Sequence, residues 1–329
     1  MLDTIMCYFM DRDIVVQKGI DRCIDELPDF CKQFLTYCNL KLSKLTTRSY
    51  LYVVRMFFHH YAMERGIAYS VITLKDLDAI THTDVEGWLD TFKGKIETNT
   101  TIYRHSVMKT FLGYFYTRRE IQWNVAEQII MPKLEEKPIK KLSPKQVDDL
   151  LAAVDNYEIR IKKNKLRDKT IIVFFLESGV RISELIGLDV KHIDMKDGSY
   201  TVRRKGGKTE TLYMTEGLYI QLMYYMESID TSDPNKPLFP SRDTPRLADN
   251  TVRDMVEKYM ALAGIQGNIS PHKLRKTFGT TLYKKTRDIF AVAKILGHTS
   301  VNTTRKFYAD IDEDIKRDAI RGFSYKKIA

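Results

Sequence analysis

Apolar positions recur at helical spacing through most of the chain, with two interruptions. In "LSKLTTRSYLYVVRMFFHHYAMERG", Tyr50, Val53, Val54, Phe57, Phe58 and Tyr61 follow the i, i+3, i+4 rule of an amphipathic helix, with Thr46 or Thr47 as the expected N-cap. A second helix is expected from "THTDVEGWLDTFKG", where Thr81 with Asp84 and Thr83 with Glu86 both fit a capping box. A third, "TTIYRHSVMKTFLGYFYTRRE", gathers Val107, Phe111, Tyr114 and Phe115 on one face and leaves Arg104, His105 and Lys109 elsewhere. Residues 1–130 therefore read as an all-helical bundle.

The first interruption is "MPKLEEKPIKKL", residues 131–142, where two prolines and mixed charge without apolar periodicity indicate an extended linker. Ser143 as N-cap, Pro144 in the first turn and Gln146 closing a capping box then announce a second domain, residues 143–329. It opens with helices near 144–155 and 167–178. The second interruption is "GSYTVRRKGGKTETLYM", where Tyr200 and Val202 alternate before a glycine turn and Leu212 and Met214 alternate with Thr211 and Tyr213 after it. A period of two on both sides of glycines is a β-hairpin. Helical patterns resume to the end of the chain, so the expected class is mainly α, with a small β-hairpin or sheet in a mixed α/β second domain.

Composition narrows the function classes. With 53 Lys plus Arg against 43 Asp plus Glu, the formal charge is +10, a field that attracts polyanions such as nucleic acid. Cys7, Cys23, Cys31 and Cys38 all lie in the first forty residues without a C-x-x-C pair, which suits buried free thiols better than zinc ligands or a disulfide framework; Cys31 and Cys38, seven apart, would share a helix face. No run of eighteen apolar residues exists and the start is acidic, so neither a membrane span nor a signal peptide is expected. A cytoplasmic protein, or a nuclear one if the host has a nucleus, is the expectation.

Five side chains of the second domain could do phosphoryl chemistry. Arg181 stands in "SGVRISELIGL", His272 and Arg275 are helix neighbours in "SPHKLRKTFGT", and His298 and Tyr308 lie in "ILGHTSVNTTRKFYADI". Two guanidiniums, two imidazoles and a phenol suffice to hold a phosphodiester, activate an attacking oxygen and stabilise charge without a metal. Singly, each has a plainer explanation: a surface ion-pair partner, a turn residue, a core aromatic.

Their order and wording change that. "SGVRISELIGL" resembles the G-x-R-x-S-E-L box, "PHKLRKTFGTTL" the H-x-L-R box and "ILGHTSVNTTRKFY" the L-G-H-x-x-x-x-T-T-x-x-Y box of the tyrosine recombinase, or phage integrase, family. All three occur in family order. The helices before the linker resemble, more weakly, the family's core-binding domain, which closes with the catalytic domain around duplex DNA.

The resemblance implies roles position by position. Arg181 and Arg275 would bind the scissile phosphate, His272 would act as proton acceptor or hydrogen-bond donor near the nucleophile, His298 would hydrogen-bond the phosphate, Glu184 would support the site, and Tyr308 would attack. The family's hairpin lysine, general acid toward the leaving 5′ oxygen, would be Lys205, with Lys208 the alternative; Arg204 stands where a glycine is common. Lys44, Arg48, Arg104 and Lys109 lie on helices that face the major groove in the family.

The implied activity is site-specific recombination of double-stranded DNA through a 3′-phosphotyrosyl intermediate and a Holliday junction, with no metal and no other cofactor. The implied partner besides DNA is a homo-tetramer on two duplexes, joined through a C-terminal helix that carries Ile311, Ile315, Ala319 and Ile320. A type IB topoisomerase and a non-catalytic DNA-binding protein of the same fold are the alternatives.

Overall fold

The computed structural model describes residues 3–132, 141–158, 162–204, 207–241, 245–267, 270–297 and Ile320. The chain divides into two compact units, Met1–Glu136 and Lys137–Ala329.

The first unit is helical among its described residues: α1 (Asp3–Asp25), α2 (Cys31–Lys41), α3 (Lys44–Arg65), α4 (Leu74–Asp78), α5 (His82–Asp90) and α6 (Thr98–Thr117). Val53, Val54, Phe57, Phe58 and Tyr61 are buried along α3, while Tyr50 is only half-buried. The N-cap of α3 is Ser43, whose hydroxyl accepts from the Thr46 backbone N–H, three or four residues before the expected Thr46 or Thr47. Lys44 and Leu45 are exposed, so the first turn carries no apolar stripe to reveal it. At α5 the Thr81–Asp84 pair forms the reciprocal capping box.

Aromatic rings fill the core of this bundle, with Phe34 meeting Phe111 edge-on at 5.0 Å and Phe57 meeting Trp88 at 5.5 Å. Cys31 and Cys38 are fully buried on the inner face of α2, and Cys23 is buried too, all as free thiols. Burial pushes the Cys38 thiol up to about 12, which keeps it an unreactive thiol. His105 lies with the buried residues of α6, because its Nε2 is 2.7 Å from the Ala126 carbonyl oxygen.

The second unit contains α7 (Pro144–Asn156), α8 (Lys162–Ser178), α9 (Ile182–Ile186), β1 (Ile193–Asp194), β2 (Ser199–Arg203), β3 (Thr209–Tyr213), α10 (Glu216–Ser228), α11 (Asp249–Leu262), α12 (Pro271–Thr286) and α13 (Ile289–Leu296). Ser143, Pro144 and Gln146 cap α7 in the expected way. Leu142, the last residue of the expected linker, is buried, and its N–H donates to Thr277 Oγ1 on α12 at 2.9 Å. Helix α8 runs through the centre, packed by α7, α10 and α12.

The sheet is antiparallel in the order β1-β2-β3, with Ser199 opposite Tyr213 and Arg203 opposite Thr209. It adds the short β1 to the expected hairpin. Tyr200, Val202 and Leu212 face inward, and Phe174 of α8 meets Tyr200 edge-on at 5.0 Å. Downstream of α9, Arg246 donates to the carbonyls of Ile186 at 2.7 Å and Leu188 at 2.9 Å and pairs with the fully buried Asp189. The end of this five-residue helix is thereby tied down, which matters because its start carries Arg181.

Candidate active site

The site assembles at the C-terminal end of α13. The last carbonyls of any helix lack an intrahelical partner and carry the negative end of the helix dipole. Here three arginines from three different elements take three consecutive ones. Arg204 Nη2 donates to Ile295 O at 2.7 Å, Arg275 Nη2 to Leu296 O, and Arg181 Nη2 to Gly297 O at 2.8 Å. Asp288 starts the same helix by accepting from the N–H groups of Phe290 at 2.8 Å and Ala291 at 3.0 Å, so both ends of this short element are satisfied.

Two glycines make the approach possible. Gly179 ends α8 with φ +62; an added Cβ there would collide with the Phe278 ring and come within 2.9 Å of Leu296 Cδ2. Its carbonyl accepts from Arg275 Nη1. Gly297 ends α13 with φ +60, and an added Cβ would meet the Cζ and Nε of Arg204 at 2.8 Å. Left-handed backbone and missing side chain are thus both required at each turn.

Glu184 is the negative centre of the cluster. It is the third residue of α9, and its Oε2 reaches back to accept from the Arg181 N–H at 2.8 Å, as in a capping box. The same carboxylate accepts from Arg181 Nη1 at 2.7 Å and Arg204 Nη1 at 2.9 Å, with Arg275 Nη1 at 4.0 Å. Its side chain is 2% exposed. Burial alone would raise its pKa, but the Arg181 N–H and the charges of Arg204 and Arg181 outweigh that and hold it below the usual carboxylate range. A carboxylate buried among guanidiniums is therefore ionised.

His272 lies on the first turn of α12, after Pro271 and one turn before Arg275, and is exposed. Partial loss of water around the ring, and then the charges of Lys276, Arg275, Arg181 and Arg253, push its pKa down to about 4. At neutral pH the ring is neutral and has one lone pair to accept a proton.

Of the sequence-derived set, Arg181 and Arg275 meet around the Glu184 carboxylate, and His272 shares their electrostatic field. Lys205, His298 and Tyr308 lie outside the described residues; Arg204 and Gly297, which immediately precede Lys205 and His298, belong to the cluster. Lys208 is exposed in the hairpin turn, where its carbonyl accepts from the Arg204 N–H at 2.7 Å. Ile311, Ile315 and Ala319 also lie outside the described residues.

In the first unit, Lys44 is 3.8 Å from Asp13, Lys109 is 2.8 Å from Glu127, Arg104 covers the Phe92 ring at 3.9 Å, and the Arg48 stem packs on Gly19. Sequence reasoning missed the part Arg204 plays. The signal was its substitution for the glycine common at that position of the resembling motif.

Residues 140–314 match the phage integrase family, more than half of the chain. The chain is similar to "Tyrosine recombinase XerC" of Syntrophus aciditrophicus, 27% identical over 294 residues that cover 86% of this chain and 93% of that protein. It is similar also to "Tyrosine recombinase XerC" of Thermodesulfovibrio yellowstonii, 33% identical over 233 residues, 67% of this chain and 73% of that one. Among solved structures, the XerH site-specific recombinase in a post-cleavage complex with palindromic difH substrate superposes with a TM-score of 0.69 at 19% identity, over 92% of this chain and 88% of the other. That likeness shows a common fold.

Proposed function

This chain belongs to the phage integrase family, and from that premise we propose that it is a site-specific DNA recombinase acting through Tyr308. The observation that carries the reading is the convergence of Arg181 and Arg275 on the end of α13, inside the stretch that matches the family and directly before His298. Guanidiniums anchored from behind by carbonyls and by Glu184 are oriented before a phosphate arrives, so little reorganisation is needed when charge develops. Arg181 remains 35% exposed, which leaves its fork accessible to a phosphodiester.

In the reaction proposed, the Tyr308 oxygen attacks phosphorus, the P–O5′ bond breaks, and a 3′-phosphotyrosyl link forms. A free phenol has a pKa of about 10, so loss of its proton needs an acceptor, and neutral His272 is suited to that. Arg181, Arg275 and His298 stabilise the charge of the pentavalent state, and Lys205 delivers a proton to the departing 5′ oxygen, with Lys208 as the alternative donor. The energy of the broken phosphodiester is kept in the phosphotyrosyl bond, so a 5′ hydroxyl of another duplex can reseal it with no cofactor. Two rounds, through a Holliday junction in a homo-tetramer, exchange the duplexes. The C-terminal segment with Ile311, Ile315, Ala319 and Ile320 would join neighbouring protomers, and Lys44, Arg48, Arg104 and Lys109 would contact DNA.

No described helix is long and apolar enough to cross a membrane, and we place the protein with chromosomal DNA in the cytoplasm. The test is a nicked suicide substrate carrying the protein's own target site. A protein–DNA adduct that survives denaturant and is absent in Tyr308→Phe is expected; an adduct that persists in that variant would sink the assignment. Joined products of two duplexes, rather than relaxed circles alone, distinguish recombination from topoisomerase action.

A further inference from the structure

We infer that Arg204 is a positioning residue for the phosphate-binding arginines, an assignment that rests on the recombinase reading above. Arg204 leaves the end of β2 and turns back into the cluster with every nitrogen engaged. Nε donates to Glu210 Oε2 at 2.8 Å, Nη1 to Glu184 Oε2 at 2.9 Å and Nη2 to Ile295 O at 2.7 Å. With Nε, Nη1 and Nη2 each committed to a protein acceptor, its part is to hold the neighbouring groups in place.

Two effects on Arg181 follow from these contacts. The first is steric: Arg204 packs in the space that a Gly297 Cβ would fill, and the Gly297 carbonyl is what holds Arg181 Nη2 at 2.8 Å. Without the Arg204 guanidinium beneath it, that carbonyl loses its support. The second is electrostatic. Glu184 is one carboxylate shared between Arg181 and Arg204, with Arg275 at 4.0 Å. Removing Arg204 would leave Arg181 as the near partner of a buried carboxylate and draw its fork toward Glu184, away from a phosphate.

Charge balance points the same way. The guanidiniums of Arg181, Arg204 and Arg275 against the carboxylates of Glu184 and Glu210 leave one positive charge, which a phosphodiester neutralises. Lysine cannot substitute, because a single ammonium does not fork between two carboxylates and a carbonyl.

The experiment measures single-turnover formation of the covalent adduct, with DNA affinity and thermal unfolding of each variant alongside. Arg204→Gln and Arg204→Lys are each expected to slow adduct formation by ~10²-fold with DNA affinity retained. The readout that a merely structural role would not move is the double variant. If Arg204 works by sharing the charge of Glu184, then Arg204→Gln combined with Glu184→Gln is as fast as, or faster than, Arg204→Gln alone; a further loss overturns the inference. Adduct formation at the wild-type rate in Arg204→Gln, or full function in Arg204→Lys, overturns it as well.

Should Arg204→Gln fail to fold, Glu210→Gln loosens the same guanidinium without removing its charge and is expected to cost ~10-fold in rate. An unchanged rate there counts against the inference. Absence of any adduct with the wild-type protein on its target would instead overturn the recombinase reading itself, so the two failures are distinguishable.

Discussion

His272 carries its proton chemistry in an unusual range for an exposed imidazole. Loss of water around the ring and the nearby charges of Lys276, Arg275, Arg181 and Arg253 move it from 6.5 to about 4. Because the folded protein disfavours the protonated ring, the unfolded chain takes up its proton first as the pH falls. The contribution of His272 to stability is therefore complete above pH 6.5 and is lost between 6.5 and about 4. Glu184, held below its ordinary 4.5, acts in the same direction at still lower pH. In the reaction proposed above, the neutral ring would be the acceptor. Adduct formation at subsaturating DNA is expected to show no acid limb from His272 between roughly pH 8 and roughly pH 5.5. A midpoint at 6.5 that disappears in His272→Asn would contradict this. Position and neighbours of His272 were legible in "SPHKLRKTFGT", but its pKa was not, since Arg181 and Arg253 reach it only through the fold.

At the level of elements, the turns matter more than the helices they join. Gly179 and Gly198 have nearly the same φ, +62 and +64, yet only Gly179 is enclosed, by Phe278 and Leu296. Gly179→Ala is thus expected to destabilise by about 2–4 kcal/mol, from left-handed strain and overpacking together, and Gly198→Ala by about 1 kcal/mol from strain alone. Urea unfolding of the two variants checks this, and equal losses would show that enclosure contributes nothing. Periodicity revealed α3, α5 and α6 and the hairpin because each buries one face. It could not reveal that His105 would be buried, since its partner Ala126 O is supplied by a segment beyond α6. Likewise "RRKGGK" showed a turn and gave no hint that Arg204 folds back onto Glu184 and Ile295, 20 and 91 residues away.

At the scale of the whole molecule, the charge of +10 is the feature that bears on DNA. Binding should weaken steeply with salt, with a slope in log K against log salt of about −0.9 for each phosphate neutralised. Among the described residues, Lys44 and Lys109 hold exposed ion pairs with Asp13 and Glu127, and such pairs give way to a phosphate at little cost. Lys44→Ala and Lys109→Ala should each reduce that slope by about 1, as a salt titration of fluorescent target DNA would register. An unchanged slope removes the residue from the interface. Arg104 and Arg48 have ties to the helical unit itself, through Phe92 and Gly19, so their replacement tests packing as well as DNA contact.

Local order along the chain was enough to determine which segments become helix or hairpin, because caps, periodicity and turn glycines act over a few residues, and its three motifs lie within the stretch that matches the family. Which groups share one charge was decided only in three dimensions. Three arginines distant in sequence meet on three successive carbonyls because a helix ends there with its acceptors unsatisfied, and because two glycines leave room for them. The burial of Glu184 and the placement of Arg204 follow from that meeting, and neither can be read from the residues beside them in the chain.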